Sequence, residues 1–394
     1  MNAISIPSQP TRRDYQPIEA EGRVRFYAAA CIALRSGPGS CRECVTSCPM
    51  AAMQSNSTGN TVSTACIGCG ACAAACPSGA LSVKGFENLS PLPGGNIVRI
   101  ECWKVPASVS GDHALRVPCL GGVSPSQWLE LAETAGNRRI IVVDRGWCAQ
   151  CTSGSGCKPE HPARHALDQA EAILAEAGWP EVRRPRIQHD ALPASLMPSE
   201  IPAERPESLA RRAFFRRLGG EAQRAVGLAE PVETPTPRLM KQQGLPLPER
   251  ERLLAVAHRL ALAAGKNMPA TPFAALSIAP NCNHHGICAG VCPTGALSLY
   301  EDDANAGLEF NAWRCIGCGQ CVKTCPERAI SIDAAPQAPD PHVAQRLTAH
   351  PAKSCPACQE VFYASPEAKT CTSCSRNRQM GASLFGTLFA VTKS

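Results

Sequence analysis

Cysteine makes up 24 of the 394 residues, and most of it recurs in one spacing, Cys-x2-Cys-x2-Cys-x3-Cys-Pro. Thiolates spaced in this way hold [4Fe–4S] cubanes, whose chemistry is one-electron exchange. Two copies are regular: Cys66, Cys69, Cys72 and Cys76 before Pro77, and Cys315, Cys318, Cys321 and Cys325 before Pro326. An altered copy precedes each. In the first, Cys41, Cys44 and Cys48 keep their places, but Pro38 stands where the leading cysteine belongs, and the nearest upstream cysteine is Cys31. In the third, the run Cys282-Asn-His-His285-Gly-Ile-Cys288 leads to Cys292, so a histidine takes the slot of the second cysteine.

The other cysteines form two groups. Cys102, Cys119, Cys148 and Cys151, with Cys157 nearby, lie in the middle of the chain. Towards the C-terminus, Cys355-Pro-Ala-Cys358 and Cys371-Thr-Ser-Cys374 are separated by twelve residues. A pair of such knuckles holds one tetrahedral ion, either zinc as in a ribbon or iron of the rubredoxin type.

These residues need elements to position them. After its last cysteine each motif runs through proline into Ala52-Met53, Ala80-Leu81, Ala296-Leu297 or Ala329-Ile330, which predicts a short strand every time. Gly68, Gly70, Gly317 and Gly319 free the backbone between ligands to turn its amides toward sulfur. In the middle, Val98–Cys102, Ala114–Cys119 and Arg139–Val143 read as buried strands and Ser124–Thr134 as a helix. That order predicts a small parallel α/β unit with the middle cysteines at one sheet edge.

Trp179–Arg250 holds no cysteine and eleven prolines, so it reads as a linker, interrupted by a basic helix over Glu207–Leu218. Arg211, Arg212, Arg216 and Arg217 of that helix, like Arg12-Arg13, are followed by no apolar run and do not make an export signal. Leu253–Ala264 reads as a helix expected to pack against the C-terminal cysteine block. His161 and His165, four apart, read as the solvent face of a polar helix. Gly381–Val391 is apolar enough to pack on a partner or on the chain itself.

The four cysteine motifs resemble the two-cluster bacterial ferredoxins, twice over, with Cys-Ile-Gly-Cys-Gly at both 66–70 and 315–319. That resemblance implies that three cysteines of one motif and the last of the other hold each cubane. It assigns Cys48, Cys66, Cys69 and Cys72 to one cluster and Cys292, Cys315, Cys318 and Cys321 to another. A third set is Cys31, Cys41, Cys44 and Cys76 with a looped-out ligand, unless Cys31 is a buried thiol. The fourth is Cys282, Cys288 and Cys325 with His285. There, histidine ligates iron and raises the potential, or the site keeps a [3Fe–4S] cluster. Three or four cubanes follow.

The segment Arg116-Val-Pro-Cys119-Leu-Gly-Gly-Val-Ser-Pro125, with Val142-Val-Asp-Arg-Gly-Trp-Cys148, is similar to the delta subunit of methyl-viologen-reducing hydrogenase. This implies a [2Fe–2S] cluster on four of Cys102, Cys119, Cys148, Cys151 and Cys157. A zinc site is the rival reading.

The expected fold is α+β and multidomain: a tail over 1–27, a ferredoxin-like domain over 28–90, and a small α/β cysteine-rich domain over 97–178. The linker over 179–250 follows, then a second ferredoxin-like domain over 251–340 and a zinc-ribbon-like knuckle over 350–380. Aromatic residues are only 5% of the chain, against 35 prolines and 31 glycines, so bound metals must supply part of the stability.

A net charge of +6 without interleaved aromatics gives no support for nucleic-acid binding. No apolar run approaches the ~18 residues of a membrane span, and Met1–Tyr27 lacks a signal core, so a cytoplasmic protein is expected. Neither a phosphate loop, a dinucleotide fingerprint nor a nucleophile–base pair is present, so the chain reads as an electron carrier rather than an enzyme. The expected function is that of a polyferredoxin relaying electrons between larger redox proteins. The alternative is an assembly factor for a molybdenum-dependent oxidoreductase such as formate dehydrogenase, by analogy with cytoplasmic ferredoxins of the periplasmic nitrate reductase system.

Overall fold

Each motif ends in Cys-Pro, and proline cannot continue the preceding helical turn, so the chain turns out of every motif before running into a strand. The computed structural model describes residues 15–18, 22–37, 40–87, 89–110, 114–148, 151, 161–197, 245–302, 304–341, 343–364, 366–378 and 380. The basic helix over Glu207–Leu218, Arg12-Arg13, Cys157 and Gly381–Val391 lie outside the described residues. The chain divides into two compact units, with the boundary after Asn267.

In the first unit, β1 (Gln16–Pro17) and β2 (Val24–Phe26) precede α1 (Ile32–Ser36) and α2 (Glu43–Thr46) of the first motif. The hairpin β3 (Met53–Asn56) and β4 (Gly59–Val62) leads to α3 (Ala71–Ala74) of the second motif and then β5 (Leu81–Val83). β5 returns antiparallel to β2 with Leu81 opposite Phe26, which brings the two motifs together.

The middle of this unit holds β6 (Ile97–Cys102), α4 (Ala107–Ser110), β7 (Ala114–Val117), α5 (Pro125–Ala135), β8 (Arg139–Asp144), α6 (Arg164–Glu176) and β9 (Arg186–His189). The strands form a parallel sheet in the order β7-β6-β8-β9. Val98, Ile100, Ile140 and Val142 are at most 1% exposed on one face of their strands, and Glu101 and Val143 are at most 2% exposed on the other, as expected of strands covered on both faces. Ser124 caps α5: its Oγ accepts from Gln127 N, and Gln127 returns its side-chain oxygen to Ser124 N at 2.9 Å, with Pro125 at the first helical position. The predicted parallel unit is present, with β9 added at its edge.

The helix α7 (Pro248–Ala263) differs from expectation in its partner. It packs on α5 of the first unit, burying Leu254, Val256, Ala257, Leu260 and Ala261, so the domain start expected at 251 falls inside an element of the preceding unit. Arg252 donates to Glu130 at 2.7 Å and Arg259 to Glu133 at 2.7 Å. Each buried leucine contributes about 1.5–3 kcal/mol and each exposed ion pair at most about 1 kcal/mol. Packing therefore holds α7, and the arginines fix its register on α5.

The second unit repeats the ferredoxin-like order. β10 (Ala274–Ile278) precedes α8 (Ile287–Gly290), the hairpin β11 (Leu297–Glu301) and β12 (Asn305–Phe310), α9 (Gln320–Thr324) and β13 (Ile330–Ala334). β13 returns antiparallel to β10, with Ile330 opposite Ile278. β14 (Gln345–Arg346) and β15 (His350–Ser354) both pair with β12, and β16 (Val361–Tyr363) pairs with β15. The C-terminal knuckle is thus rooted in the sheet of the ferredoxin-like block rather than set apart from it. Among the described residues no helix is long and apolar enough to cross a membrane.

Candidate metal centres

The strand that follows each motif is reached through a left-handed residue, three places after the last cysteine. These are Ala51 (φ 49°), Gly79 (φ 75°), Gly295 (φ 65°) and Arg328 (φ 50°). The turn aims the following amide at sulfur: Ala52 N donates to Cys48 Sγ at 3.3 Å, Ala80 N to Cys76 Sγ at 3.2 Å and Ala329 N to Cys325 Sγ at 3.3 Å. In the third motif Thr294 Oγ1 takes Ala296 N, and Leu297 N reaches Cys292 Sγ at 3.4 Å. Such bonds favour a thiolate and tune a cluster's potential. Ala51 and Arg328 adopt this conformation against a steric cost that glycine avoids. Ala51→Gly and Arg328→Gly are expected to stabilise the metal-loaded protein by up to about 1 kcal/mol each, read from anaerobic denaturation midpoints; a lower midpoint would show that the side chains contribute more than the turn costs.

Within the regular motifs, Gly68, Gly70, Gly317 and Gly319 all have positive φ, between 66° and 81°. The third motif keeps this backbone with His284 at φ 53° and Gly286 at φ 70°. His285 therefore occupies the same backbone slot as Cys69 and Cys318. The first motif departs from the pattern, with Arg42 at φ −135° before α2.

Three small voids are each lined by a complete set of cysteines drawn from two motifs. Cys31, Cys41, Cys44 and Cys76 line one, Cys48, Cys66, Cys69 and Cys72 the second, and Cys292, Cys315, Cys318 and Cys321 the third. Cys31 is buried and faces the same void as Cys41 and Cys44, as a looped-out ligand must. Burial pushes the Cys44 thiol up to about 12 and those of Cys69 and Cys321 up to about 11. Without a cation these thiols stay protonated, so metal uptake must release protons.

At the third motif, burial and then the charge of Cys325 raise the Cys282 pKa, and Cys288 responds to burial, Cys282 and Cys325. The three sulfurs thus share a neighbourhood. His285 Nε2 donates to Glu327 Oε1 at 2.5 Å, both side chains being 21% exposed. This leaves Nδ1 as the nitrogen available to iron, and a carboxylate on the second nitrogen is how metal-binding histidines are usually oriented. Glu327 carries no periodicity or spacing signal, and sequence reasoning missed it.

In the parallel sheet, β6 ends in Cys102, while Cys119 follows β7 and Cys148 follows β8. The carboxyl ends of parallel strands are where open α/β sheets bind ligands. Cys102, Cys119, Cys148 and Cys151 line one void with Lys104, Arg145 and Trp147. Burial drives the Cys119 thiol well up, and the two cations in the lining favour thiolates. Arg145 is itself held by Glu101 at 2.6 Å and Asp190 at 2.8 Å.

The two histidines of the predicted polar helix part company. α6 begins only at Arg164, and His161 lies before it, grouped with Asp144 and Cys148 so that one ligand atom from each falls within 4.8 Å of the others. Its Nδ1 accepts from Ala163 N at 3.3 Å, while Nε2 is buried without a hydrogen-bond partner among the described residues. Burial lowers its pKa, so the imidazole is neutral and able to ligate. Pro162, which disfavours helix at the residue before it, was the sequence signal for this break. His165 does lie in the helix, with Nε2 bonded to the exposed Gln169.

At the C-terminal knuckle the sulfurs of Cys355, Cys358, Cys371 and Cys374 all lie within 4.8 Å of one another, Cys358 and Cys371 at 3.7 Å. Bonds of 2.3 Å in a tetrahedron require about 3.8 Å between sulfurs, so the set fits a single ion. Cys371 N donates to Cys355 Sγ at 3.4 Å and lowers that thiol to about 6.

Residues 39–81 and 276–326 each match the family of 4Fe-4S dicluster domains. The first match begins after Cys31, the cysteine that departs from the usual spacing. Protein NrfC of Escherichia coli strain K12 is 35% identical over 83 residues, covering 21% of this chain and 36% of that protein. NrfC of Escherichia coli O157:H7 and of Shigella flexneri match to the same extent. The chain thus spans about a third of the length of the curated relatives it matches. It carries two 4Fe-4S dicluster domains, which support an iron–sulfur electron-transfer role.

Proposed function

We propose that this chain is a polyferredoxin that relays single electrons between larger redox proteins and has no substrate chemistry of its own. The observation carrying the reading is the crossed lining of the voids, each by four sulfurs from two motifs. The residues fit four cubane sites: the three all-cysteine sets, and Cys282, Cys288 and Cys325 with His285 through Nδ1. The edge of the parallel sheet, with Cys102, Cys119, Cys148 and Cys151, is suited to a [2Fe–2S] cluster, and the C-terminal knuckle to zinc.

Bound clusters supply the one-electron chemistry. The protein's own part is to hold sulfur by amide donors, to keep His285 oriented through Glu327, and to exclude water from buried thiolates such as Cys69 and Cys76. Histidine retained in an unaltered ligand slot favours His285 ligation over a three-iron cluster. The relay partners are larger redox proteins, a molybdenum-dependent oxidoreductase such as formate dehydrogenase among them.

Anaerobic purification with iron, sulfide and zinc counts, followed by redox titration, tests the reading. Dithionite should bleach the visible absorbance and a one-electron oxidant restore it, with as many electrons as there are clusters and one zinc per chain. A chain that does not cycle, or that binds an apo-oxidoreductase and releases the mature one, would overturn the relay in favour of assembly.

A further inference from the structure

The ferredoxin-like block and the parallel sheet of the first unit meet at two glycines. A Cβ on Gly122 would lie 2.3 Å from Cys69 O, 2.3 Å from Phe86 Cζ and 2.9 Å from Gly70 Cα. A Cβ on Gly70 would lie 2.4 Å from Phe86 Cε2 and 3.0 Å from Gly122 Cα. Only glycine at both positions permits so close an approach. Cys69 lines the void of the second motif, and Gly122 N donates to Cys119 O at 3.1 Å, Cys119 lining the void at the sheet edge. The backbones of two ligand cysteines from different sites are thereby linked by one van der Waals contact and one hydrogen bond.

We infer that the Gly70–Gly122 contact is an electron-transfer junction between the site of Cys48, Cys66, Cys69 and Cys72 and the four-cysteine site at the sheet edge. The inference rests on the relay reading. In the step, the first site is oxidised by one electron and the second reduced by one, with no bond made or broken and no proton moved. The parallel sheet then serves as an outlet of the first ferredoxin-like block.

The test is EPR on the full chain, purified anaerobically and reduced with dithionite, beside iron counts. The wild type should show cubane signals broadened and relaxed beyond what the cubanes impose on one another, by the further paramagnetic centre at the sheet edge. Cys119→Ser should lose about two irons, along with that extra broadening, and keep only the coupling of the cubanes to one another. Gly122→Val should weaken the broadening at unchanged iron content; if it does not fold, the comparison with Cys119→Ser decides alone. A wild type with iron at both sites and the same cubane signal as Cys119→Ser would overturn the junction. Zinc at the sheet edge would also overturn it while leaving the cubane relay standing, whereas cubanes that cannot be reduced and reoxidised would defeat the relay itself.

Discussion

Replacing Cys76 with serine is expected to remove about four irons per chain, and to remove them from the void of the preceding motif rather than from its own. The sulfur of Cys76 lines the void of Cys31, Cys41 and Cys44, while Cys48 lines that of Cys66, Cys69 and Cys72. Double variants make the crossing measurable by counting alone. Cys41→Ser with Cys76→Ser strikes one site twice and should still cost about four irons, whereas Cys66→Ser with Cys76→Ser strikes two sites and should cost about eight. The opposite pattern of losses would show that each motif holds its own cluster.

Arg145→Ala is expected to be the most destabilising single change away from the cysteines. Glu101 is fully buried on β6, and its ion-pair partner is Arg145 at 2.6 Å, whose side chain is 8% exposed. Removing one member of a buried pair strands the other, at a cost of about 3–5 kcal/mol, far above the ~1 kcal/mol of a surface pair. Arg145 also bonds Asp190, which Arg99 shares, so the ends of β6, β8 and β9 are drawn together. The effect should appear as early thermal unfolding of the sheet and loss of iron at its edge. The double variant Glu101→Leu with Arg145→Leu should recover much of the stability, and failure to recover it would show that Arg145 acts through the metal site instead.

The cysteines that line each void were legible because thiolate spacing is a local, covalently fixed signal, and their grouping across two motifs followed from the ferredoxin resemblance. The parallel strands were legible for a different reason: Ile140-Ile-Val-Val143 is an unbroken apolar run of the kind a doubly covered strand carries, and Val98 and Ile100 alternate with Arg99 and Glu101 at strand period. β9 was not legible, since Arg-Ile-Gln-His at a sheet edge is mostly polar and lies within a proline-rich stretch. Nor was the partner of α7. An apolar helix face states that it must be covered and not by what, and the complementary glutamates stand on α5, more than a hundred residues away. His161 and Glu327 share this limit: each is brought to its site by the tertiary fold, from a loop and a turn that carry no periodicity.

Crossed ligation has a consequence for how such a chain can exist at all. A cluster whose ligands come from one motif would be a local ornament, added or lost without disturbing its neighbour. With the proposed crossed ligation each inorganic core would tie a residue before a hairpin to one after it, a crosslink that closes a long loop and lowers the entropy of the unfolded chain. The two cores of a block share the same hairpin and interlock. Folding and cluster insertion become coupled, each core closing its own loop, so a block that has lost one core should keep the other while unfolding at a lower temperature than the fully loaded block.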